Sequence, residues 1–365
     1  MKASILSLHT ALPPFALTQE EIAAALIEMV AADDQRAETI QAMHRASAIK
    51  QRYSVLDDFK KKRQEWKFWG KEFPKNLPGM AKRNQCYEKE APKLAIAAAK
   101  GAIEEWGGNL EQITHVIAIS CTGLVAPGIE FSLVRHFGLS AFTQRLAINF
   151  MGCFGAFKGL ALARSLALEN QQHRILVVCV ELCSLHFQID PTPDNLVANA
   201  LFADGAAAVI VGAEPNPSEH VLWEIHRQSS YLLENSADKM KWEAGDFGFN
   251  LKLSHTVPVL IKKQIKSYID SLLTADYQNL SYDWAIHPGG KSVIQAVEKA
   301  LQLASSATAA SWKTLREYGN MSSATFLFVL QELRKQQKSR SWTAGLAFGP
   351  GLSVEGIVMK RGKTK

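Results

Sequence analysis

The sequence predicts a layered α/β fold, on two observations. Short apolar, strand-like runs alternate along the chain with longer segments of helical period. The composition, 47% hydrophobic and 21% charged over 365 residues, belongs to a globular protein long enough to bury a large core.

The elements follow in order. "SILSL" (4–8) reads as an opening strand, and Thr18 and Glu21 form a capping box ahead of the helical "EIAAALIEMV". The lysine-rich "KKKRQEWKFWGKEFPKNLPG" (60–79) reads as an exposed insertion. "APKLAIAAAKGAIEEWG" (91–107) is a helix with proline near its start and glycine at its end. "HVIAIS", "RLAINF" and "RILVVCVEL" are strands, and the polar segment 213–220 is a boundary. Beyond it come helix 257–273, strand "YDWAI", helices 290–303 and 322–336, and the closing strands "AGLAF" and "SVEGIVM". The basic tail "KRGKTK" is expected to be disordered.

The bulk numbers narrow the function. A net charge of +6, dispersed along the chain, suits anionic small molecules or acidic proteins and is too mild to imply nucleic acid. The five cysteines are odd in number and lack metal-ligand spacing, so free thiols in a reducing compartment and no metal are expected. The N-terminus lacks a signal-peptide pattern, and no run of about 18 apolar residues could insert in a membrane. The expected location is cytoplasmic.

Three residues stand where chemistry gathers in such folds. Cys153, in "FMGCFGAFKGL" (150–160), lies between a strand and a helix start, where the helix dipole would favour a reactive thiolate. His287 ends an apolar strand before Pro-Gly-Gly, and Asn320 lies in a glycine turn before another helix. Each has an ordinary alternative: a buried thiol, a satisfied core histidine, a helix cap. Together they can form an acyl-enzyme on sulfur and stabilise the enolate left when a malonyl thioester loses carbon dioxide. A thiolase that condenses without decarboxylation needs a second cysteine as base, and no cysteine lies beyond residue 183.

Seven blocks in order, "EAPKLAIAAAKGAI", "SCTGLVAPGIEF", "GCFGAFKGL", "ALFADGAAAVIVG", "HPGGKSVIQAVEKAL", "YGNMSSATFLF" and "FGPGLSVE", resemble the type III polyketide synthases of the chalcone and stilbene synthase kind, with wording closer to the bacterial branch, within the thiolase superfamily. The resemblance covers residues 5–360. It implies a thiolase-like αβαβα fold of two similar halves, 1–213 carrying the cysteine and 214–365 carrying the histidine and asparagine. It also implies a homodimer using acyl-CoA and malonyl-CoA with no further cofactor. Cys153 would carry the growing chain, while His287 and Asn320 promote decarboxylation.

By the same resemblance Phe202 gates the passage from the pantetheine tunnel, with Phe249 or Leu251 as the second gate. Cys121, Thr122, Cys183, Leu185, His186, Ala198 and Ser322 would line the cavity, and Glu181 and Ser322 would join a hydrogen-bonded network that guides ring closure. Cys121 replaces a threonine frequent in plant members, and His186 is bulky where a smaller residue is usual. His186 either reshapes the cavity or points away and packs. Ala126 replaces a methionine that crosses the plant dimer. Thr39, Ala42 and Ala46 fall where plant members place basic residues for the phosphates of coenzyme A. Either nearby Arg45, Lys50 and Arg52 substitute, or the donor is an acyl carrier protein that meets the basic 60–71 region; a solvated loop is the plainer reading of that region. Rival readings are a single-condensation β-ketoacyl synthase and a catalytically silent partner of a condensing heterodimer.

Overall fold

Most of the apolar runs become strands of one mixed sheet. The structure, a computed structural model, describes residues 2–30, 33–336 and 340–362. The chain runs β1 (Ala3–Ala11), β2 (Phe15–Thr18), α1 (Gln19–Val30), α2 (Asp34–Ala46), β3 (Gln51–Ser54), α3 (Met80–Trp106) and β4 (Ile113–Ser120). It continues with α4 (Ile129–Phe137), β5 (Gln144–Asn149), α5 (Gly155–Glu169), β6 (Arg174–Leu182), α6 (Pro193–Leu201) and β7 (Asp204–Ala213). After a connection come β8 (Trp223–Leu232), β9 (Met240–Gly245), β10 (Gly248–Leu253), α7 (Val257–Leu272), β11 (Tyr282–Ile286) and α8 (Lys291–Leu301). Last are α9 (Ala309–Tyr318), α10 (Thr325–Arg334), β12 (Trp342–Gly349) and β13 (Ser353–Arg361).

The sheet order is β5-β4-β6-β7-β1-β8-β13-β12-β11. Outward from β1 the pairings are antiparallel to β7, antiparallel to β6, then parallel to β4. Outward from β8 they repeat: antiparallel to β13, antiparallel to β12, then parallel to β11. The two wings join through Ala3, Ser4 and Ile5 on β1, paired with Trp223–Ile225.

Alternate residues of each strand face different layers, as the period of two requires. Val116, Ala118, Leu176 and Val178 pack on α1, α3 and α4, while Ile117, Ile119, Ile175 and Val177 face α5 and α10. The opposite faces of the second wing carry α7 and α8. Helix–sheet–helix–sheet–helix is therefore the layer sequence expected of the chain. The two central helices approach closely, with Phe157 and Phe326 ring centroids 4.2 Å apart. A Cβ on Gly155 would stand 2.7 Å from Ile119 and 3.1 Å from Ser323, so glycine permits the approach.

Several local expectations hold. Thr18 and Glu21 exchange their capping bonds, at 2.7 and 3.1 Å. Others need correction. α3 begins eleven residues before Ala91 and carries Pro92 in its interior. Its buried face continues upstream through Arg83, Tyr87 and Ala91, and that packing outweighs the lost backbone bond. The 60–79 segment is anchored rather than solvated: Trp66, Phe68, Trp69 and Phe73 are buried. Buried Asp58 organises it by accepting the backbone N–H groups of Lys67, Phe68 and Trp69. At the C-terminus Lys360 and Arg361 belong to β13, and the rest of the expected disorder, 363–365, lies outside the described residues.

The connection between β7 and β8 is latched by a buried ion pair. Arg174 holds Glu219 through two bonds of 2.6 Å, and Glu219 also accepts from the Trp106 indole and the Asn216 backbone. Burial pushes the Glu219 carboxyl up, but these donors outweigh it and leave it below the usual range. Glu219→Ala would strand Arg174 as a buried lone charge and is expected to cost about 3–5 kcal/mol in urea unfolding. Because the folded-state value is depressed, this contribution is full above the ordinary carboxylate titration and is lost as pH falls through the folded value.

Candidate active site

The three residues singled out in the sequence meet in one cavity of about 460 Å³. Cys153 reaches it from a single 3₁₀ turn (Gly152–Phe154) that leads into α5. That turn is tightly folded: Phe150 and Gly152 have φ of +57° and +71°, and a Cβ on Gly152 would meet Pro350 at 2.5 Å. A left-handed backbone at bulky Phe150 is costly and persists because its surroundings hold it. The Gly152 N–H donates to the Cys121 sulfur at 3.1 Å.

Asn320 is aimed by its neighbours. The Ser322 backbone N–H donates to Asn320 Oδ1 at 2.9 Å, which fixes which end of the amide is oxygen. Asn320 Nδ2 is therefore turned toward the Gly289 carbonyl (3.3 Å) and the Cys153 sulfur (3.9 Å). Its backbone pairs with Leu201 and Ala203, which flank Phe202. His287 follows β11, held by its N–H bond to the Leu346 carbonyl. Its ring is 1% exposed, and neither ring nitrogen has a hydrogen-bond partner among the described residues. Buried polar atoms without a protein partner are uncommon and mark His287 as the ring whose hydrogen-bonding capacity the described residues leave unused.

Burial dominates the electrostatics. It lowers the His287 imidazole to about 3, so the ring is neutral. It pushes the Cys153 thiol up to about 12, against the opposing hydrogen bonds of Ser322, Asn320 and the Cys153 backbone N–H. The helix start alone therefore does not yield the thiolate expected from the sequence. Desolvation disfavours each charge separately, whereas proton transfer from sulfur to imidazole would create both as an attracting pair.

Cys121, Thr122, Cys183, Phe202 and Ser322 also line this cavity. Of the two gate candidates Leu251 lines it and Phe249 does not. Phe249 instead packs against His186, Phe150 and Trp242, at 4.5, 5.2 and 5.6 Å between rings. His186 is locked away from the cavity: its Nε2 donates to the Thr122 carbonyl (2.8 Å) and its Nδ1 accepts from the Phe249 N–H (3.1 Å). Burial first of all lowers it to about 4, so it remains neutral. Ala198, with His186 and Phe249, borders a minor pocket of about 20 Å³ behind Phe202 and Trp242. Leu185 is fully buried and reaches neither space.

Glu181 lies behind the wall, fully buried, accepting from the Cys121 N–H and the Thr122 hydroxyl (2.9 Å each) and from the Ser323 hydroxyl. Ser323, not Ser322, is thus its partner in the second half; the Ser322 hydroxyl is directed to Cys153. Arg52 is no surface cation. It is 1% exposed and donates to Gln19 and to the carbonyls of Asn199 and Phe202, holding the loop of Phe202. Arg45 and Lys50 are exposed.

Sequence reasoning missed Trp242, which lines both spaces and donates its indole N–H to the Cys121 carbonyl at 2.8 Å. The alternation in "MKWEAG" marks a strand but says nothing of where it docks.

Comparison with known proteins shows the family. Residues 1–215 match the family described as chalcone and stilbene synthases, N-terminal domain, and residues 224–362 its C-terminal domain. The chain is 30% identical over 371 residues to type III polyketide synthase A of Arabidopsis thaliana, covering 98% of this chain and 93% of that one. It is 34% identical over 330 residues to "Probable polyketide synthase 1" of Dictyostelium discoideum, covering 88% of this chain but only 10% of that protein's length. Among solved structures, the C-terminal type III polyketide synthase domain of Steely1, a type I/III hybrid from Dictyostelium, superposes with a TM-score of 0.93 at 32% identity over 99% of each chain. PKS-I of the brown alga Ectocarpus siliculosus gives 0.91 at 27% identity, over 99% of this chain and 98% of that one.

The site makes a pH prediction. If His287 receives the Cys153 proton, alkylation of the Cys153 peptide by iodoacetamide should reach half-maximum about 1–3 pH units lower in the native protein than in His287→Gln. Without the imidazole, only the raised titration of an isolated buried thiol remains. Identical profiles would remove His287 from that role.

Proposed function

The chain belongs to the chalcone and stilbene synthase family, the type III polyketide synthases, and on that footing we propose that it builds a polyketide on Cys153 from an acyl-CoA starter and malonyl-CoA. The observation that carries the reading is the convergence of Cys153, unpartnered His287 and the aimed amide of Asn320 on one mainly apolar cavity. Cys153 gives its proton to His287 and attacks the starter thioester. The bond to the coenzyme sulfur breaks, and that sulfur leaves as a thiol with the proton from His287. The malonyl thioester then enters, and its carbonyl oxygen accepts from neutral His287 and from Asn320 Nδ2. The bond to carbon dioxide breaks, its electrons form the enolate, and the enolate carbon attacks the acyl group on Cys153; the bond to the Cys153 sulfur then breaks and frees that sulfur as the thiolate. The lengthened chain is then carried on coenzyme A. Reloading and further extension precede closure to a pyrone or resorcinol.

A neutral histidine suits the enolate step because it donates a hydrogen bond without surrendering the proton. Family enzymes of this kind use CoA thioesters and generally need no further cofactor. The five free thiols favour a reducing cytoplasm, and among the described residues no helix is long and apolar enough to cross a membrane.

We also propose a homodimer through edge strand β5. Its free side is bordered by exposed Phe142 (89%), with Phe131 and Met151 each 37% exposed and Ala126 in the neighbouring loop. A soluble monomer seldom leaves such an edge open. Light scattering after size exclusion should give twice the chain mass, and Phe142→Asp should shift it toward one; a monomeric native protein would end this proposal.

Mass spectrometry of products from malonyl-CoA and a panel of short, aromatic and long acyl-CoA starters tests the reaction. Products with two or more malonyl-derived units are expected, and none from Cys153→Ala. A single unit would indicate a β-ketoacyl synthase, and Cys153-independent synthesis would discard the nucleophile. Asn320→Ala should slow carbon dioxide release from malonyl-CoA by about 10²–10³-fold, the usual effect of losing one oxyanion donor.

A further inference from the structure

One surface beside the cavity is left unused by the reaction above. α7 starts at the cavity, where Val257 and Pro258 line the wall with Ser254 and His255 just before them. From there Val259, Lys262, Lys263 and Lys266 stand at i, i+3, i+4 and i+7, a single helical face. Val259 is 65% exposed, and the three lysines are exposed with no carboxylate in ion-pair range among the described residues. Some other lysines of the chain are paired, such as Lys158 with Glu355 and Lys313 and Lys335 with Glu332, while Lys67, Lys71 and Lys75 have no ion pair among the described residues. Lys291, at the start of α8, adds another exposed cation next to cavity-lining Gly290 and Ser292.

We propose that this face of α7 docks an acidic acyl carrier domain, which passes its acyl group on a pantetheine arm to Cys153. The inference rests on the thioester chemistry proposed above. Two features favour a carrier over free coenzyme A as the occupant. The stripe runs about 10 Å along the helix, farther than one diphosphate requires. It begins on an exposed apolar side chain, Val259, and continues through three cations, a composition that suits a protein contact with an acidic rim. The 60–71 lysines fit less well, because Lys60 and Lys61 face Glu21 and Asp57 and none of that segment lines the cavity. In the transfer, the carrier's acyl–sulfur bond breaks as the bond to Cys153 sulfur forms. The Cys153 proton, relayed by His287, ends on the pantetheine thiol.

The test combines binding and turnover. A fluorescently labelled holo acyl carrier protein is titrated by anisotropy, which needs no catalysis. In parallel, kcat/KM is measured with hexanoyl groups carried either by that protein or by coenzyme A, with malonyl-CoA as extender. For Lys262→Glu/Lys266→Glu, and separately Val259→Asp, carrier affinity and carrier-borne kcat/KM should fall at least about tenfold, as expected for reversed interfacial charge. The coenzyme A value should stay within about twofold, which also shows that the variants are folded. Equal losses on both donors would assign the face to coenzyme phosphates, and unchanged carrier binding would overturn the inference, as would a native protein that does not bind the carrier. Loss of all turnover in the native protein would count against the reaction course instead, with anisotropy still deciding the docking face.

Discussion

One buried carboxylate holds the active site together. Glu181 sits at the end of β6 and gathers donors from the turn after β4 and from the turn into α10. Burial pushes its carboxyl up, and its hydrogen bonds from Ser323, Cys121 and Thr122 oppose that shift. Each hydrogen bond to a charged group contributes about 1.5–3 kcal/mol, and its loss would leave buried donors unpaired. The ties extend outward: Thr122 also receives the Leu182 N–H, while the sulfur and carbonyl of Cys121 receive Gly152 and Trp242. The turn after β4, the turn into α10 and the wall of the cavity are thus positioned from one point that does not itself line the cavity.

The chamber around that point handles charge by avoiding it. His287 and His186 are both held neutral by burial, but for different ends. His186 has both nitrogens satisfied and serves as a strut between the Thr122 turn and β10. His287 has neither satisfied and lines the cavity. Bonding, more than residue type or burial, separates the histidine that braces the wall from the one open to the cavity.

The same distinction explains what the sequence could reveal. Strands such as "RILVVCVEL" and the strand–turn–helix settings of Cys153 and His287 were legible because local period and turn chemistry specify them. The twofold sheet was legible only through the resemblance to a known family. Long-range partners were not legible at all: Arg52 resembled a surface cation until Gln19, Asn199 and Phe202 enclosed it. The lysines of 60–79 concealed four aromatic anchors organised by Asp58, and lysine composition alone suggested solvent. His186 was open between lining and packing, and Phe249, a bond away on another hairpin, decided it.

The repeated pairing of the two sheet wings has a further meaning. β4, β6, β7 and β1 correspond in order and sense to β11, β12, β13 and β8, and each wing sends a central helix out of a three-residue 3₁₀ turn. Gly152, Cys153 and Phe154 in one copy therefore answer to Ser322, Ser323 and Ala324 in the other. The positional twin of the nucleophile is Ser323, a hydroxyl spent on supporting Glu181. Such a pattern has the form of an ancestral duplication followed by division of labour. One copy places a thiol at the cavity and its twin a hydroxyl behind the wall, so neither half alone carries the full set of cavity groups.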